Sequence, residues 1–268
     1  MKSPPSPHLS VTIITLNEEH NIAQAIQSVQ WADEVIVVDS GSSDRTAEIA
    51  QKMGARVFHQ PWLGYGQQKN FAHKQAMHDW VLNIDADERV TPELEREIRH
   101  SVRQVDSEKL DICGFDVPRK TFYMGKWIRH GGWYPNRLVR LVKRGAAAWS
   151  EPQVHEQLLV KGRTDSLKEP LYHEAFHSIE DQVLTNLKFA KLGSAELRAN
   201  LEAKGRTASI FLMIFKPLGK FAETYFLKRG FLDGLAGFII SVNAAYSMFL
   251  KYAFLFEDRI RVRGKEKI

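Results

Sequence analysis

The chain has 268 residues, of which 44% are hydrophobic, and its formal net charge is +5. Domains usually run about 100–200 residues, so this length allows one large domain, or a domain with an appendage, around a sizeable core. The single cysteine, Cys113, excludes an intramolecular disulfide and a zinc cage of several thiolates, and it fits a reducing compartment.

The two ends of the sequence bear on location and partners. The opening residues, MKSPPSPHLS, lack the apolar stretch of about 7–15 residues that a secretory signal needs, so we expect the protein to stay where it is made. The C-terminal EDRIRVRGKEKI is basic and follows an apolar region, which favours an anionic surface as a partner. Nucleic acid is not expected, because no basic-aromatic stripe or recognised module accompanies the charge.

The first hundred residues alternate strand and helix patterns. Predicted strands are SVTIITL (10–16), EVIVVD (34–39), ARVFH (55–59) and WVLNID (80–85), and predicted helices cover 18–30, 42–54 and roughly 66–78. Strands with near-continuous apolar runs, alternating with helices, predict an α/β fold whose parallel sheet is covered on both faces.

Three polar clusters follow strands of this sheet. They are TLNEE after the first strand, DSGSSD after the second and DADE after the fourth. Ligands bind outside the carboxyl ends of the strands in such sheets, so the fold is expected to bring the three clusters together at one edge.

The second half of the chain changes character. Residues 110–175 predict shorter strands and loops that complete the site, and an amphipathic helix is expected over roughly 180–204. The last segment is apolar and aromatic, and its longest charge-free stretch, Gly234 to Leu250, has 17 residues. A full membrane span needs about 20, so helices lying in the membrane interface are favoured. We expect a catalytic domain over 1–178 and a membrane-associating helical region over 179–268.

The DADE cluster allows two interpretations. In an extended loop Asp85 and Asp87 point to the same side and can hold one Mg²⁺ or Mn²⁺, which completes its shell with water and substrate phosphates. The alternative is a solvated acidic turn before a helix opened by Pro92. Glu88 is expected to point the other way and stabilise the turn.

The DSGSSD cluster also has two interpretations. Asp39 at the strand tip can accept hydrogen bonds from a base or ribose, and free amide groups of the turn can bind a polar ligand. Alternatively, Ser43 or Asp44 simply caps the following helix.

These motifs carry a family resemblance. TIITLNEEHNI, VIVVDSGSSDRT and WVLNIDADE, in this order and spacing, resemble the N-terminal half of family-2 glycosyltransferases with the GT-A fold, and GYGQQKNFA matches as well. VHEQ and KRGFLDGLAGF resemble a narrower bacterial group, the lipopolysaccharide core β-1,4-glucosyltransferases. The resemblance covers nearly the whole chain. It implies a single inverting displacement from a UDP-sugar.

The resemblance also implies residue roles. Asp39 would contact the uracil, Asp85 the ribose or metal, and Asp87 the Mg²⁺ or Mn²⁺ that bridges the diphosphate. Lys69 occupies a position where relatives often carry a basic residue near the nucleotide, although many have an ArN triplet where this chain has Lys69-Asn70-Phe71. The remaining residues expected to line the nucleotide pocket are Leu16, Asn17 and Glu18.

Inverting transfer also needs a base for the acceptor hydroxyl. Glu156 in EPQVHEQ is the candidate, with Glu151 in the same segment as the fallback, and the alternative is that Glu156 is an ordinary surface glutamate. His155 or His173 could be a further metal ligand or a structural histidine.

Four further residues are candidates for contacts with the acceptor or the diphosphate. Arg137 and Arg140 could bind an anionic group or remain solvated, and they lie on opposite faces if the segment is a strand. Trp133 and Tyr134 could stack on a sugar or belong to the core.

Three other classes of protein are alternatives to this interpretation. A haloacid-dehalogenase-type phosphatase would use the first Asp of DADE as a nucleophile. The signature of such phosphatases usually has Thr or Val at the position of Glu88 and lies near the N-terminus, whereas 84 residues precede Asp85 here. A non-catalytic nucleotide-sugar-binding membrane protein would keep the fold without activity. A polyprenyl-phosphate glycosyltransferase would share the donor site, but such relatives often carry full transmembrane helices.

The sequence therefore predicts a metal-dependent, inverting glycosyltransferase. The expected donor is UDP-glucose, and the expected acceptor is an inner-core heptose of lipopolysaccharide, a membrane-embedded glycolipid. The expected location is the cytoplasmic face of the membrane, where the protein would be peripheral and held by the anionic surface.

Overall fold

A computed structural model describes residues 8–150, 156–176, 178–205, 207 and 209–265, the side chains of 259 and 261–265 excepted. The described chain divides into two compact units. The first lies within Met1–Lys120 and Pro135–Glu174, and the second within Thr121–Tyr134 and Ala175–Ile268. A catalytic domain that ends at residue 178 stays a prediction, and residues 121–134 group with the C-terminal helices.

The first unit is built on a mixed sheet. The strands of the described chain are β1 (Leu9–Thr15), β2 (Glu34–Asp39), β3 (Arg56–His59), β4 (Trp80–Asp85), β5 (Glu88–Val90), β6 (Gly114–Tyr123), β7 (Lys126–Trp127), β8 (Asn136–Lys143), β9 (Ala147–Trp149), β10 (Leu158–Val160), β11 (Thr164–Ser166) and β12 (Leu171–His173). The main sheet has the order β3-β2-β1-β4-β8-β6-β12-β5. Strands β1 to β4 are parallel, whereas β8 is antiparallel to both β4 and β6.

Seven α-helices connect or follow these strands in the described chain. They are α1 (Ile22–Ser28), α2 (Thr46–Lys52), α3 (Tyr65–Gln75), α4 (Pro92–Glu108), α5 (Ile179–Ala203), α6 (Ile210–Ala222) and α7 (Gly234–Lys265). A π-helical turn at Glu223–Leu227 and a 3₁₀ turn at Gly230–Asp233 join α6 to α7. Helix α4 begins where Thr91 accepts a hydrogen bond from the Leu94 amide and Pro92 occupies the first turn.

Both faces of the sheet are covered, as the apolar runs predict. Alternating residues of one strand face opposite sides, so Leu82 joins the cluster that contains α1 and α4, while its neighbour Val81 joins the cluster that contains α3. The predicted α/β class, with a mostly parallel sheet flanked by helices, is confirmed. Apart from β4, which pairs with β8, the strands that form antiparallel pairs lie between residues 88 and 173. The sequence predicted short strands and loops over residues 110–175 only, so β5 at Glu88–Val90 was not predicted.

The second unit packs its turns against its longest helix through glycines. Gly230, in the 3₁₀ turn, lies so close to Gly237 of α7 that a Cβ on Gly237 would be 1.8 Å from the Gly230 carbonyl oxygen. Asp233 then fixes the turn, since its carboxylate accepts from the amides of Arg129 and His130 at 3.2 and 2.8 Å. The motif KRGFLDGLAGF thus encodes a close backbone crossing.

We expect Gly237→Ala to destabilise this unit by about 1–3 kcal/mol, because the new methyl group meets backbone atoms that cannot turn aside. Thermal unfolding followed by circular dichroism measures the effect. Gly219→Ala in α6 is the matched control, since a Cβ there meets nothing within 4 Å. Alanine also has a higher helix propensity than glycine, so this variant should not be destabilised. Equal melting temperatures for the two variants would contradict the close crossing.

Candidate functional site

The carboxyl ends of three parallel strands form one edge of the sheet. In the register of β1, Thr15 is opposite Asp39 of β2 and Ile14 is opposite Asp85 of β4. Neighbouring strands lie about 4.8 Å apart, so the backbones of Asp39 and Asp85 are roughly 10 Å apart across β1. The expectation that these polar clusters share one edge is confirmed.

The first two clusters are tied together by hydrogen bonds. The Asn17 amide donates to Ser42 Oγ at 2.9 Å, and the Ser43 amide donates back to Asn17 Oδ1 at 2.8 Å. Asn17 has a φ of 56°, a left-handed conformation that asparagine tolerates better than most residues. The Glu18 amide donates to Thr46 Oγ1 at 2.8 Å. These contacts fix the loops, and the roles of Asn17 and Glu18 in the nucleotide pocket stay predictions.

Asp39 holds its own turn. Its buried carboxylate accepts from the amides of Gly41 and Ser42, each at 3.0 Å, and His59 Nδ1 lies 3.7 Å away. Leu16, by contrast, is 48% exposed beside this edge. Contacts of Leu16 and Asp39 with a nucleotide stay predictions.

The prediction that this turn offers free amide groups to a ligand is wrong for four residues. The amides of Gly41 and Ser42 are taken by Asp39, that of Ser43 by Asn17 and that of Thr46 by Asp44 Oδ1 at 3.0 Å. The reason is that the short side chains of Asp39 and Asp44 reach backbone groups of their own loop, and Asn17 reaches the Ser43 amide from the loop after β1. Asp44 thus accepts from the first residue of α2, but the N-cap position is Arg45, which makes no side-chain capping hydrogen bond, so the predicted cap by Ser43 or Asp44 is wrong.

Asp85, the first carboxylate of DADE, lies between two cations. Arg140 Nη2 donates to its Oδ2 at 2.8 Å, and Lys69 Nζ lies 3.2 Å from its Oδ1. Burial alone would raise the pKa of Asp85, but the charges of Arg140 and Lys69 outweigh it and hold that pKa below its ordinary value. Both oxygens of Asp85 thus face cations of the chain itself.

Glu88 is buried rather than solvated. Its Oε2 accepts from the Asp85 amide at 2.9 Å, which closes the turn as predicted, and its Oε1 pairs with Arg140 at 2.7 Å and Arg119 at 3.4 Å. Arg140 is 3% exposed, and although burial lowers its pKa, the charges of Asp85 and Glu88 raise it above the ordinary value. Contact of Arg140 with a diphosphate or an acceptor stays a prediction.

Asp87, the second carboxylate, faces a histidine. Strand β12 pairs antiparallel with β5, with His173 opposite Glu88, and the Glu174 amide donates to the Asp87 carbonyl at 3.0 Å. This register puts His173 Nε2 3.3 Å from Asp87 Oδ2. Of the two predicted histidine ligands, His173 therefore lies beside the predicted metal carboxylate. His155 and Glu151 lie outside the described residues.

Lys69 joins the DADE edge to Glu156. Its ammonium, on α3, donates to Glu156 Oε1 at 3.0 Å while it contacts Asp85, and it lies 4.4 Å from the centre of the Trp149 ring. Lys69 and Glu156 side chains are only 9% and 17% exposed. The candidate base is therefore held at the same edge as the candidate nucleotide site, although 87 positions separate it from Lys69.

Sequence reasoning missed two neighbours of this cluster. Tyr65, in the first turn of α3, has its pKa raised by burial and then by the charges of Glu156, Asp85 and Asp87. The buried Asn83 accepts from Thr12 Oγ1 at 3.0 Å and donates to the Arg140 carbonyl at 3.1 Å. A polar residue within the apolar run WVLNID was the available signal for Asn83.

The remaining predicted acceptor residues are Arg137, Trp133 and Tyr134. Arg137 and Arg140 are on opposite faces of β8, as an extended segment requires, and Arg137 pairs with Asp116 and donates to the Leu167 carbonyl at 3.0 Å. Trp133 and Tyr134 belong to the second unit, where the Trp133 ring packs 5.7 Å from Tyr123 in a hydrophobic cluster. Sugar contacts of Trp133 and Tyr134 stay predictions, and so does anion binding by Arg137.

The sheet edge offers a candidate metal site in addition to the candidate base. An Asp carboxylate beside an imidazole, Asp87 with His173, supplies two ligands of types that hold Mg²⁺ or Mn²⁺. Within the residues that the structure describes, no group of three His, Cys, Asp or Glu side chains converges on one point. A cation here would therefore take its other ligands from water and a bound phosphate.

The chain is similar to known proteins. The model of glycosyl transferase family 2 matches residues 10–143. An uncharacterized glycosyltransferase of Rickettsia typhi is 33% identical over 96% of this chain and 89% of its own length, and the lipopolysaccharide core biosynthesis glycosyltransferase LpsC of Rhizobium meliloti is 30% identical over 93% and 92%.

Two crystal structures of S. aureus TarS match with TM-scores of 0.46. One is 15% identical over 95% of this chain and 91% of that chain, and the other is 17% identical over 71% of this chain and 43% of a longer TarS chain. The family model and the two relatives, which match at 30% identity or more, lead to one conclusion. The chain belongs to glycosyl transferase family 2 and is a glycosyltransferase.

Proposed function

We propose that this glycosyltransferase moves a hexose, and specifically glucose, from a UDP-sugar to a membrane-embedded glycolipid. The reaction inverts the anomeric centre and depends on a divalent cation. One observation supports the proposal: Lys69 forms ion pairs with both Asp85, at the end of β4, and Glu156, the candidate base. Donor and acceptor chemistry would then take place at one edge of the sheet.

Asp87 and His173 are the proposed protein ligands of Mg²⁺ or Mn²⁺. Their side chains are 26% and 11% exposed, which leaves access from the sheet edge, whereas both oxygens of Asp85 face Arg140 and Lys69. A bound divalent ion would stabilise the charge that develops on the departing diphosphate. Asp85 would orient Lys69 and the ribose side of the donor instead.

Glu156 is the proposed base. The acceptor hydroxyl oxygen attacks the anomeric carbon, the bond from that carbon to the diphosphate oxygen breaks, and UDP leaves with the electron pair. The hydroxyl proton passes to Glu156. Lys69 holds this carboxylate in place by donating to Oε1. One displacement of this kind inverts the anomeric centre.

The acceptor proposal is an inner-core heptose of lipopolysaccharide, reached from the cytoplasmic face of the membrane. It is supported by the full-length similarity to a protein named as a lipopolysaccharide core biosynthesis glycosyltransferase. It is also supported by the apolar and basic C-terminal region, which suits a glycolipid at an anionic surface.

The test measures UDP release from several UDP-sugars with Mg²⁺, Mn²⁺ or EDTA, with and without heptose-containing lipopolysaccharide core. We expect release to depend on the cation and the core, and Asp87→Ala to lower kcat/KM by at least about a hundredfold, since the diphosphate charge loses its stabilisation. Asp111→Ala, at an exposed aspartate of the same unit, is the control.

Three results would overturn parts of the proposal. Full activity of Asp87→Ala would refute the metal site, and release of inorganic phosphate in place of UDP would favour a phosphatase. Transfer to polyprenyl phosphate but not to the core would move the acceptor to that class.

A further inference from the structure

One face of helix α6 is apolar and largely exposed in the part of its unit that the structure describes. Ile210, Phe211, Ile214, Phe215 and Leu218 are each between 49% and 64% exposed. Their spacing places them on one side of the helix. The opposite side already packs, because Leu212 and Met213 contact the cluster around Tyr252 and Leu255 of α7.

The turns after α6 extend this apolar surface. Phe226 and Leu227 of the π-helical turn are 58% and 80% exposed, and Phe231 and Leu232 of the 3₁₀ turn are 46% and 53% exposed. Tyr225 connects them, since its ring lies 5.1 Å from Phe226 and 6.2 Å from Phe231. We call the exposed side chains of Ile210–Leu218 and Phe226–Leu232 the apolar face. Exposed patches of this kind mark binding surfaces.

Cations accompany the apolar face. Lys216, Lys220, Lys228 and Arg229 lie within or between its two segments, against two acids, Glu223 and Asp233. Asp233 is buried in the crossing described above, and Glu223 already pairs with Lys220 and Lys228. The exposed charge is therefore positive, which complements anionic headgroups, and long Lys and Arg side chains can reach headgroups while apolar neighbours enter the acyl boundary.

The contacts of α7 favour a helix that lies on the membrane over one that crosses it. In the described chain, Gly230–Asp258 is long and apolar enough to span a bilayer. However, Asn243 of α7 donates to Gln182 of α5 at 2.9 Å, and Tyr123 donates to the same oxygen at 2.6 Å. A spanning α7 that kept this packing would carry α5, with its seven charged residues, into hydrocarbon.

We propose that the apolar face docks in the interface of an anionic bilayer, with α6 parallel to the membrane plane. Phe211, Phe215 and Leu227 enter the boundary between headgroups and acyl chains, while Lys216 and Arg229 contact lipid phosphates. This surface deepens the proposed function, which needs a membrane acceptor, but docking requires neither donor nor transfer.

The test is cosedimentation of the full chain with vesicles of phosphatidylcholine, with or without phosphatidylglycerol. We expect binding that is stronger with the anionic lipid, and Phe211→Ser/Phe215→Ser to weaken it by at least about tenfold because two large apolar groups are lost. Met77→Ser/Leu159→Ser is the matched control, since it also replaces two exposed apolar residues but in the first unit. Circular dichroism checks that both variants fold.

Each outcome bears on the docking surface alone. Equal binding of wild type and Phe211→Ser/Phe215→Ser would overturn it, and so would binding to neither vesicle. A dimer without lipid that this variant breaks, together with no vesicle binding, would assign the face to a second copy of the chain. Asp87→Ala should bind vesicles normally, so a failure of transfer is distinguishable from a failure of docking.

Discussion

Replacing Glu156 with glutamine is expected to lower kcat for sugar transfer by about 10²–10⁴-fold, the usual contribution of a general base. Glutamine keeps an oxygen that can accept the hydrogen bond from Lys69, but it cannot take the acceptor proton. The KM for the UDP-sugar should change little, because the proposed role of Glu156 is to take a proton from the acceptor and not to bind the donor. UDP release at saturating acceptor, measured over a range of donor concentrations, gives both constants.

Glu108→Gln is the control for this experiment, because Glu108 is an exposed glutamate at the end of α4 and the substitution is chemically the same. A Glu156→Gln enzyme with the kcat of wild type would show that the proton goes elsewhere. Glu151, in the same segment of sequence, would then be the next residue to replace.

Arg140→Met is expected to lower the free energy of unfolding by about 3–5 kcal/mol, the usual cost of removing one partner of a buried ion pair. The substitution would leave Asp85 and the fully buried Glu88 without their shared cation. Urea unfolding at neutral pH measures this loss.

The loss should shrink as the pH falls. In the wild type, burial raises the pKa of Asp85, but the charges of Arg140 and Lys69 lower it by more, so the pKa is lower in the folded than in the unfolded protein. The ion pairs of Asp85 therefore stabilise the fold fully above the pKa of the unfolded state, and this stability is lost as the pH falls to the pKa of the folded state. Without Arg140, Asp85 loses the charge that lowers its pKa most, so protonation of this carboxylate costs the variant less stability than it costs the wild type. The difference between the two proteins is therefore largest near neutral pH.

Arg137→Met is the matched control, since Arg137 lies three positions earlier on the same strand and is exposed. We expect a change within about 1 kcal/mol there. If Arg140→Met keeps wild-type stability but raises the KM for the donor or acceptor, the ligand-binding role predicted from sequence is correct and the structural role is wrong.

The fold was largely predictable because its signals are local. Apolar runs between helical patterns located β2 and β4 to the residue, and their order along the chain implied the parallel half of a GT-A sheet. The antiparallel half was not predictable in detail. Short strands such as β5 and β12 take their register from partners more than 80 positions away, and no local pattern encodes that pairing.

The candidate site was predictable by residue type but not by partner. Asp85, Asp87 and Glu156 stood out as carboxylates in a family pattern, whereas the position of Lys69 between Asp85 and Glu156 depends on tertiary packing. Arg140 shows the limit most clearly. Its charge suggested an anionic ligand, but in the structure the anions it meets are Asp85 and Glu88 of its own chain.

The charge pairing at the sheet edge also bears on the order in which the chain folds. Asp85 and Glu88 precede Arg140, the arginine that lies between their charges, by 55 and 52 positions in the sequence. Lys69 precedes Glu156 by 87 positions. A nascent chain that ends near residue 110 contains the parallel strands β1 to β4 but holds two neighbouring carboxylates without Arg140. Contacts of such sequence separation form late, because loop closure must come first. Addition of β8 would thus relieve repulsion as it extends the sheet, and the ion pairs at the edge are complete only after most of the first unit has folded.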